Sequence, residues 1–297
     1  MTCLKADLHM HGPIGFEPYW LVVQGYAGQN LLKLIADACF KREIKVCAIT
    51  SETDQTNQDG TIIRGSVHDR LGYLERFDLR ELSKKYDSDK FGENSIVVAS
   101  NGKAVYLING QTVIVHEDGK RFNHLVVGSN EVPNFMDFHD TISYCNGHGL
   151  LHGLQGPALE SHFGAGLERA AELVGGCDFV EGHDAQLRWP SGFSGLPQIG
   201  RFTKTANDKA KAFARKHNKP YLSNSNAHRI KDAGIASNDF YDGTLSFDSE
   251  KTLLSSLREG VRSSKFVTHE GYESMFGWID WVSKFKSGIR DEKYKDK

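Results

Sequence analysis

Apolar and polar positions alternate from Cys3 to Leu8 and stop at His11-Gly12-Pro13, which predicts a short strand ending in a turn. From Asn30 to Lys41 the apolar residues recur at helical spacing, with Asn30 suited to the N-cap. The continuous apolar run from Val46 to Thr50 fits a strand buried on both faces. Strand, helix, strand is the parallel βαβ unit.

The pattern then changes. Four strand-like runs follow, at Ile96–Ser100, Ala104–Ile108, Thr112–Val115 and Phe122–Val127. They are separated by Asn101-Gly102, Asn109-Gly110 and Glu117-Asp118-Gly119, and Asn-Gly between β-rich runs signals a hairpin. The expectation is an antiparallel β-meander over about 96–127, inserted in a parallel framework.

Afterwards the βα rhythm returns. Helices are predicted over Phe135–Cys145, Leu159–Val174, Thr205–Lys216 and Ser249–Glu259. Strands are predicted at Gly149–Leu151, Cys177–Val180 and from Pro220 to Leu222. Trp278 to Phe285 fits an amphipathic terminal helix, and 286–297 is a mixed-charge tail. No repeat or linker divides the chain, so one α/β barrel domain over 1–285 is the expected organisation.

Composition narrows the partners. A formal net charge of −2 gives no global reason to expect nucleic acid. No apolar stretch approaches the ~20 residues that span a bilayer, so no membrane is expected. Cys3, Cys39, Cys47, Cys145 and Cys177 form no CxxC pair, and the N-terminus carries no basic stretch followed by an apolar run. A cytoplasmic protein with reduced thiols is the expectation.

Chemistry enters with the histidines. His9 and His11 sit where the first strand ends, and residues two apart on a strand share a face, so both imidazoles can meet one ion. His152 directly follows Gly149–Leu151, and His228 lies just beyond the strand entered at Pro220. His124 lies within the meander. In an α/β barrel the carboxyl ends of the strands form one rim where distant segments converge. Neutral imidazole is a common ligand of zinc and related ions.

The run Asp7-Leu8-His9-Met10-His11 resembles the opening motif of the PHP family, the polymerase and histidinol phosphatase domains. Ala48–Glu52 resembles the second motif, Gly149–His152 the third and Ser225–His228 the fourth. Phe179-Val180-Glu181 resembles a family strand, and Phe247–Gly260 the closing helix. The resemblance implies a distorted (β/α)7 TIM-like barrel, a site for up to three metal ions and hydrolysis of phosphate esters. It places His9, His11, His124, His152 and His228 at ligand positions.

The chain also departs from the family pattern. Ser51-Glu52 stands where Asp-His is usual, Asn226 where Asp precedes Ala-His, and Ser100-Asn101 where a bridging glutamate is expected. Glu52 can restore one oxygen ligand. Fewer carboxylates offset less cationic charge, so one or two divalent ions, zinc or manganese, are expected rather than three.

Around these ligands, Asp7 is a candidate to orient an imidazole, and Glu181 is either a supporting residue, a ligand or a solvated strand end. Asn226 is a further supporting candidate. Arg64 and Arg229 are candidates for phosphate oxygens, against the alternative of ordinary surface arginines. No side chain is assigned as the catalytic group; a metal-activated water is expected to attack. Three classes remain open: a phosphoesterase-like hydrolase of a small phosphorylated substrate or nucleotide, a degenerate relative that binds such a ligand or a partner without turnover, and an amidohydrolase. The last fits poorly, because the chain ends its motif in Asn226-Ala227-His228.

Overall fold

The computed structural model describes residues 3–11, 31–50, 79–158, 164–185, 203–227 and 229–272. The expected terminal helix and tail lie outside them. So do Glu52, Arg64 and His228.

β1 (Cys3–Met10), α1 (Leu31–Arg42) and β2 (Ile44–Ile49) form the expected unit, with the two strands parallel. After α2 (Leu79–Ser83) come β3 (Asp87–Lys90), β4 (Ser95–Ser100), β5 (Lys103–Glu117) and β6 (Lys120–Val127). These four pair antiparallel in sequence order, so the meander is present. It is more than an insert, because β5 also pairs parallel to β2 and becomes part of the wall.

One expected turn is absent. β5 runs unbroken through Asn109-Gly110, whereas Asn101-Gly102 and Asp118-Gly119 do turn. The reason is packing. A Cβ on Gly110 would stand 2.5 Å from Thr50 Cγ2 and 2.7 Å from the Val126 carbonyl oxygen. This glycine lets three strands approach closely, a second use of glycine in strands. Gly110→Ala is therefore expected to destabilise the fold by about 1–3 kcal/mol through overpacking. Gly102→Ala, in open space at φ +74°, should cost only about 1 kcal/mol from its left-handed backbone. Thermal unfolding of the two variants tests the distinction, and equal losses would remove the packing argument.

The rest of the chain completes the barrel with α3 (Phe138–Gly147), β7 (Leu151–Leu154), α4 (Leu167–Leu173), β8 (Phe179–Asp184), α5 (Thr203–Lys216) and β9 (Tyr221–Asn224). β10 (Ser237–Tyr241), α6 (Glu250–Arg262) and β11 (Phe266–His269) follow. The sheet order is β11-β10-β1-β2-β5-β6-β7-β8-β9, in which β6 runs against its neighbours. β9 returns to β1 through the Met10–Ala227 bridge and the bond from Leu8 N to Asn224 Oδ1. The distorted TIM-like barrel expected from the sequence is the architecture found.

Alternation along each strand sorts the core. Leu8, Val46, Ala48, Ile108, Leu125, Leu151, Phe179 and Leu222 fill the interior. Cys47, Ile49 and Leu107 face outward against Leu32, Ile35 and Cys39 of α1. α6 starts in a capping box between Ser249 and Thr252. It sends Leu253, Leu257 and Val261 into the interior cluster. Each such buried side chain contributes about 1.5–3 kcal/mol. α6 thus plugs one end of the barrel. No helix among the described residues is long and apolar enough to cross a membrane.

Candidate metal centre at the barrel mouth

Two irregularities in the strands build the site. Asp7 pairs with Cys47 and Met10 with Ile49, so β1 spends one residue more than β2 between these positions. This bulge turns Met10 outward into the α1 cluster and leaves His9 on the interior side. The second bulge lies in β8, where Glu181 pairs with Leu222 and His183 with Ser223. Without it, Glu181 and Asp184 would face opposite sides, since they are three positions apart. With it both turn to the mouth, and His183 turns outward to the Gly271 carbonyl at 2.8 Å.

At the mouth, His9 Nδ1 lies 2.6 Å from Glu181 Oε1, and His9 Nε2 lies 3.1 Å from His11 Nε2. Asn224 Nδ2 donates to the same Glu181 oxygen at 3.0 Å. Glu181 Oε2 is buried without a partner among the described residues. Asn226, held at φ +43°, donates from Nδ2 to Asp184 Oδ2 at 2.7 Å, and its own buried Oδ1 has no partner among the described residues.

The surroundings favour positive charge. Burial pushes the His9 pKa down, but Glu181, by charge and hydrogen bond, with Asp184 and Asp7 by charge, outweigh it and hold the pKa above its ordinary value. A field that favours a proton on a fully buried ring also favours a bound cation.

These donors fit a divalent ion. Two ligand atoms about 2.0–2.1 Å from one ion and roughly 90–110° apart stand about 2.8–3.4 Å from each other. The Nε2 pair of His9 and His11 meets that spacing. The bond from His9 Nδ1 to a carboxylate is the usual support of a metal-ligating histidine, because it fixes the ring and leaves Nε2 to face the ion. Glu181 lies behind Nδ1, out of reach of an ion on Nε2, so it supports the ring, and Asp184, whose charge acts on His9, is the candidate oxygen donor.

Other sequence candidates lie elsewhere. His124 and His152 are not at the mouth. They belong to the parity opposite Leu125 and Leu151, so they face out of the barrel wall beneath α3. His124 Nε2 lies 3.0 Å from His152 Nδ1, and the His124 ring meets Phe138 edge-on. The expected position of His152 at a strand end fails because β7 begins at Leu151, so His152 falls at its start. The ligand atoms of Cys145, on α3, and of these two histidines all lie within 4.8 Å of one another. Burial and the charge of His152 hold the His124 pKa well below normal. Burial, with Arg258, Lys219 and Arg262, pushes that of His152 down to about 3.

The bonds of Asp7 among the described residues run to backbone and hydroxyl groups. It accepts from Ser225 Oγ at 2.5 Å, Ser225 N at 3.1 Å and Gly234 N at 2.8 Å, fastening β1 to the segments after β9. Its pKa is raised by burial, against the lowering effect of those bonds. Glu181 is no solvated strand end, being buried beside His9. Arg229 is only 5% exposed and pairs with Asp232 at 2.5 Å, so it is a buried structural cation rather than a surface phosphate ligand. Asp184 was not among the sequence candidates; the glycine between Glu181 and His183 was the available signal for its inward turn.

Comparison with known proteins agrees with this architecture. Residues 204–261 match the PHP-associated family. The fold is similar to the crystal structure of PsfC from Pseudomonas syringae PB-5123, at 10% identity and TM-score 0.56, covering 97% of this chain and 99% of that one. It is also similar to a two-domain protein from Bacteroides vulgatus ATCC 8482 that contains a predicted PHP-like metal-dependent phosphoesterase. There the identity is 14% and the TM-score 0.51, over 95% of this chain and 70% of that one. None of the curated proteins compared matches. The match over 204–261 and the fold agree with the resemblance read from the sequence.

Proposed function

We propose that this PHP-like barrel is a metal-dependent phosphoesterase-like hydrolase acting on a small phosphorylated substrate or nucleotide. The observation that carries the reading is the pair of converging imidazoles, His9 and His11, set in a buried acidic field from Glu181 and Asp184. One or two divalent ions, zinc or manganese, are the expected cofactor, with His9 and His11 as nitrogen donors, Asp184 as a candidate oxygen donor and Glu181 as the carboxylate that orients His9. A bound ion would supply Lewis-acid stabilisation of phosphoryl charge and a nucleophilic water.

The chain's own contribution is positioning. Glu181 accepts from His9 Nδ1 and so aims Nε2 at the mouth. Asn224 holds Glu181 in turn. Asn226 ties one oxygen of Asp184, which leaves fewer free carboxylate oxygens than an aspartate there would give. That last feature favours the second reading, a protein that binds a phosphorylated ligand without turnover.

The test uses the full chain with added manganese or zinc, a generic phosphomonoester and a generic phosphodiester. Metal-dependent turnover that disappears in His9→Ala/His11→Ala is the expected result. Stoichiometric metal with neither ester hydrolysed would establish the binder. Unchanged metal content at the mouth in the double variant would end both readings.

A further inference from the structure

We infer that His124, Cys145 and His152 form a second metal site, separate from the mouth, which clamps α3 to the outer face of the barrel wall and takes a borderline-soft ion of the zinc type. Three elements contribute one donor each: β6, α3 and β7. All three side chains are fully buried, with ligand atoms within 4.8 Å of one another. His124 Nε2 and His152 Nδ1 stand 3.0 Å apart, the spacing already seen between the two imidazoles at the mouth. It fits two nitrogens on one ion as well as a hydrogen bond.

His124 has a second ring nitrogen to satisfy. The His124 ring is buried against Phe138, and its Nδ1 has no partner among the described residues. With an ion on Nε2, neutral His124 carries its proton on Nδ1. Without one, Nε2–H can donate to His152, and Nδ1 is then an unsatisfied buried acceptor. Nδ1 is stranded in both states, as a donor with the ion and as an acceptor without it, so what the ion adds is bonds to two imidazole nitrogens and a thiol, with His152 Nε2 left 3.4 Å from Asn146 Oδ1.

The donor set selects the ion. Two neutral nitrogens and a thiolate sulfur suit zinc-type ions and are poor for magnesium or calcium. Binding replaces the Cys145 S–H bond by an S–metal bond and releases the proton to solvent. Arg258, Lys219 and Arg262 bring positive charge to the His152 side, of which Arg258 is paired with Asp178 at 2.8 Å, so the negative charge at the ion would come from the Cys145 thiolate. A buried site on the outer wall, under a helix, suits a structural ion, and it does not depend on chemistry at the mouth.

Cobalt(II) is the probe. In the full chain, stripped and reloaded, a thiolate-to-cobalt charge-transfer band is expected. His9→Ala/His11→Ala should keep that band while losing mouth metal. Cys145→Ser should lose the band and one metal equivalent. If Cys145→Ser does not fold, X-ray absorption on the zinc-loaded mouth variant decides: a sulfur scatterer beside nitrogen supports the site, and a shell of nitrogen and oxygen alone overturns it. Absence of the band in cobalt-loaded wild type, or its persistence in folded Cys145→Ser, overturns the site as well. Either result leaves the reading of the mouth intact.

Discussion

Glu181→Ala is expected to weaken divalent-metal binding at the mouth by roughly 10–100-fold, or about 1.4–2.7 kcal/mol. The carboxylate does three things at once. It accepts from His9 Nδ1 at 2.6 Å, it accepts from Asn224 Nδ2 at 3.0 Å, and its charge raises the affinity of the buried ring for a proton. Alanine removes all three and frees the ring to rotate. Glu181→Gln keeps an oxygen that can accept from Nδ1 but removes the charge, so it should fall between alanine and wild type. Competition with a chromophoric chelator measures the affinities, and circular dichroism confirms that each variant is folded. Wild-type affinity in Glu181→Ala would mean that His9 does not hold the ion.

Much of this arrangement was legible in the sequence, and the failures share a cause. Periodicity found β1, α1, β2 and the helix α6, and the Asn101-Gly102 and Asp118-Gly119 signals found two hairpin turns. Periodicity assumes regular strands, and both halves of the mouth depend on irregular ones. The β1 bulge places His9 and His11, and the β8 bulge gathers Glu181 with Asp184. Glycine marked the second bulge as it marked Gly110, but a glycine in a strand signals a turn, a bulge or a close approach alike. Only the three-dimensional neighbours decide among these.

The histidines teach the same lesson about parity. His152 and Leu151 are one residue apart and lie on opposite sides of the wall, so shifting the strand start by a residue or two reverses the assignment. The resemblance makes His124 a ligand, whereas on β6 it is the neighbour of the interior Leu125 and so faces outward. β10 and β11 were not anticipated. Their residues, such as Ser237-Asn238-Asp239, carry too little apolar signal, and Asn238 is instead held by polar bonds to Ser223 and Asn224.

Arg258→Ala should destabilise the protein by about 3–5 kcal/mol, lowering the thermal midpoint by about 6–15 °C. Arg258 on α6 reaches Asp178, just before β8, with Nε at 2.8 Å and Nη2 at 3.3 Å, and also donates to Asn146 Oδ1 at 2.5 Å. The Asp178 side chain is only 5% exposed, so removing the guanidinium strands a charge out of water. Arg262 approaches Asp178 at 3.6 Å but is 57% exposed, which offers partial compensation and favours the lower half of the range. Asp178→Asn should cost less, because the amide keeps an acceptor and no unpaired carboxylate remains. The double variant should then lose less than the sum of the two, with a coupling of about 1–3 kcal/mol. A loss under about 1 kcal/mol in Arg258→Ala would reduce this contact to an ordinary screened surface pair. The plug formed by α6 would then rest on Leu253, Leu257 and Val261 alone.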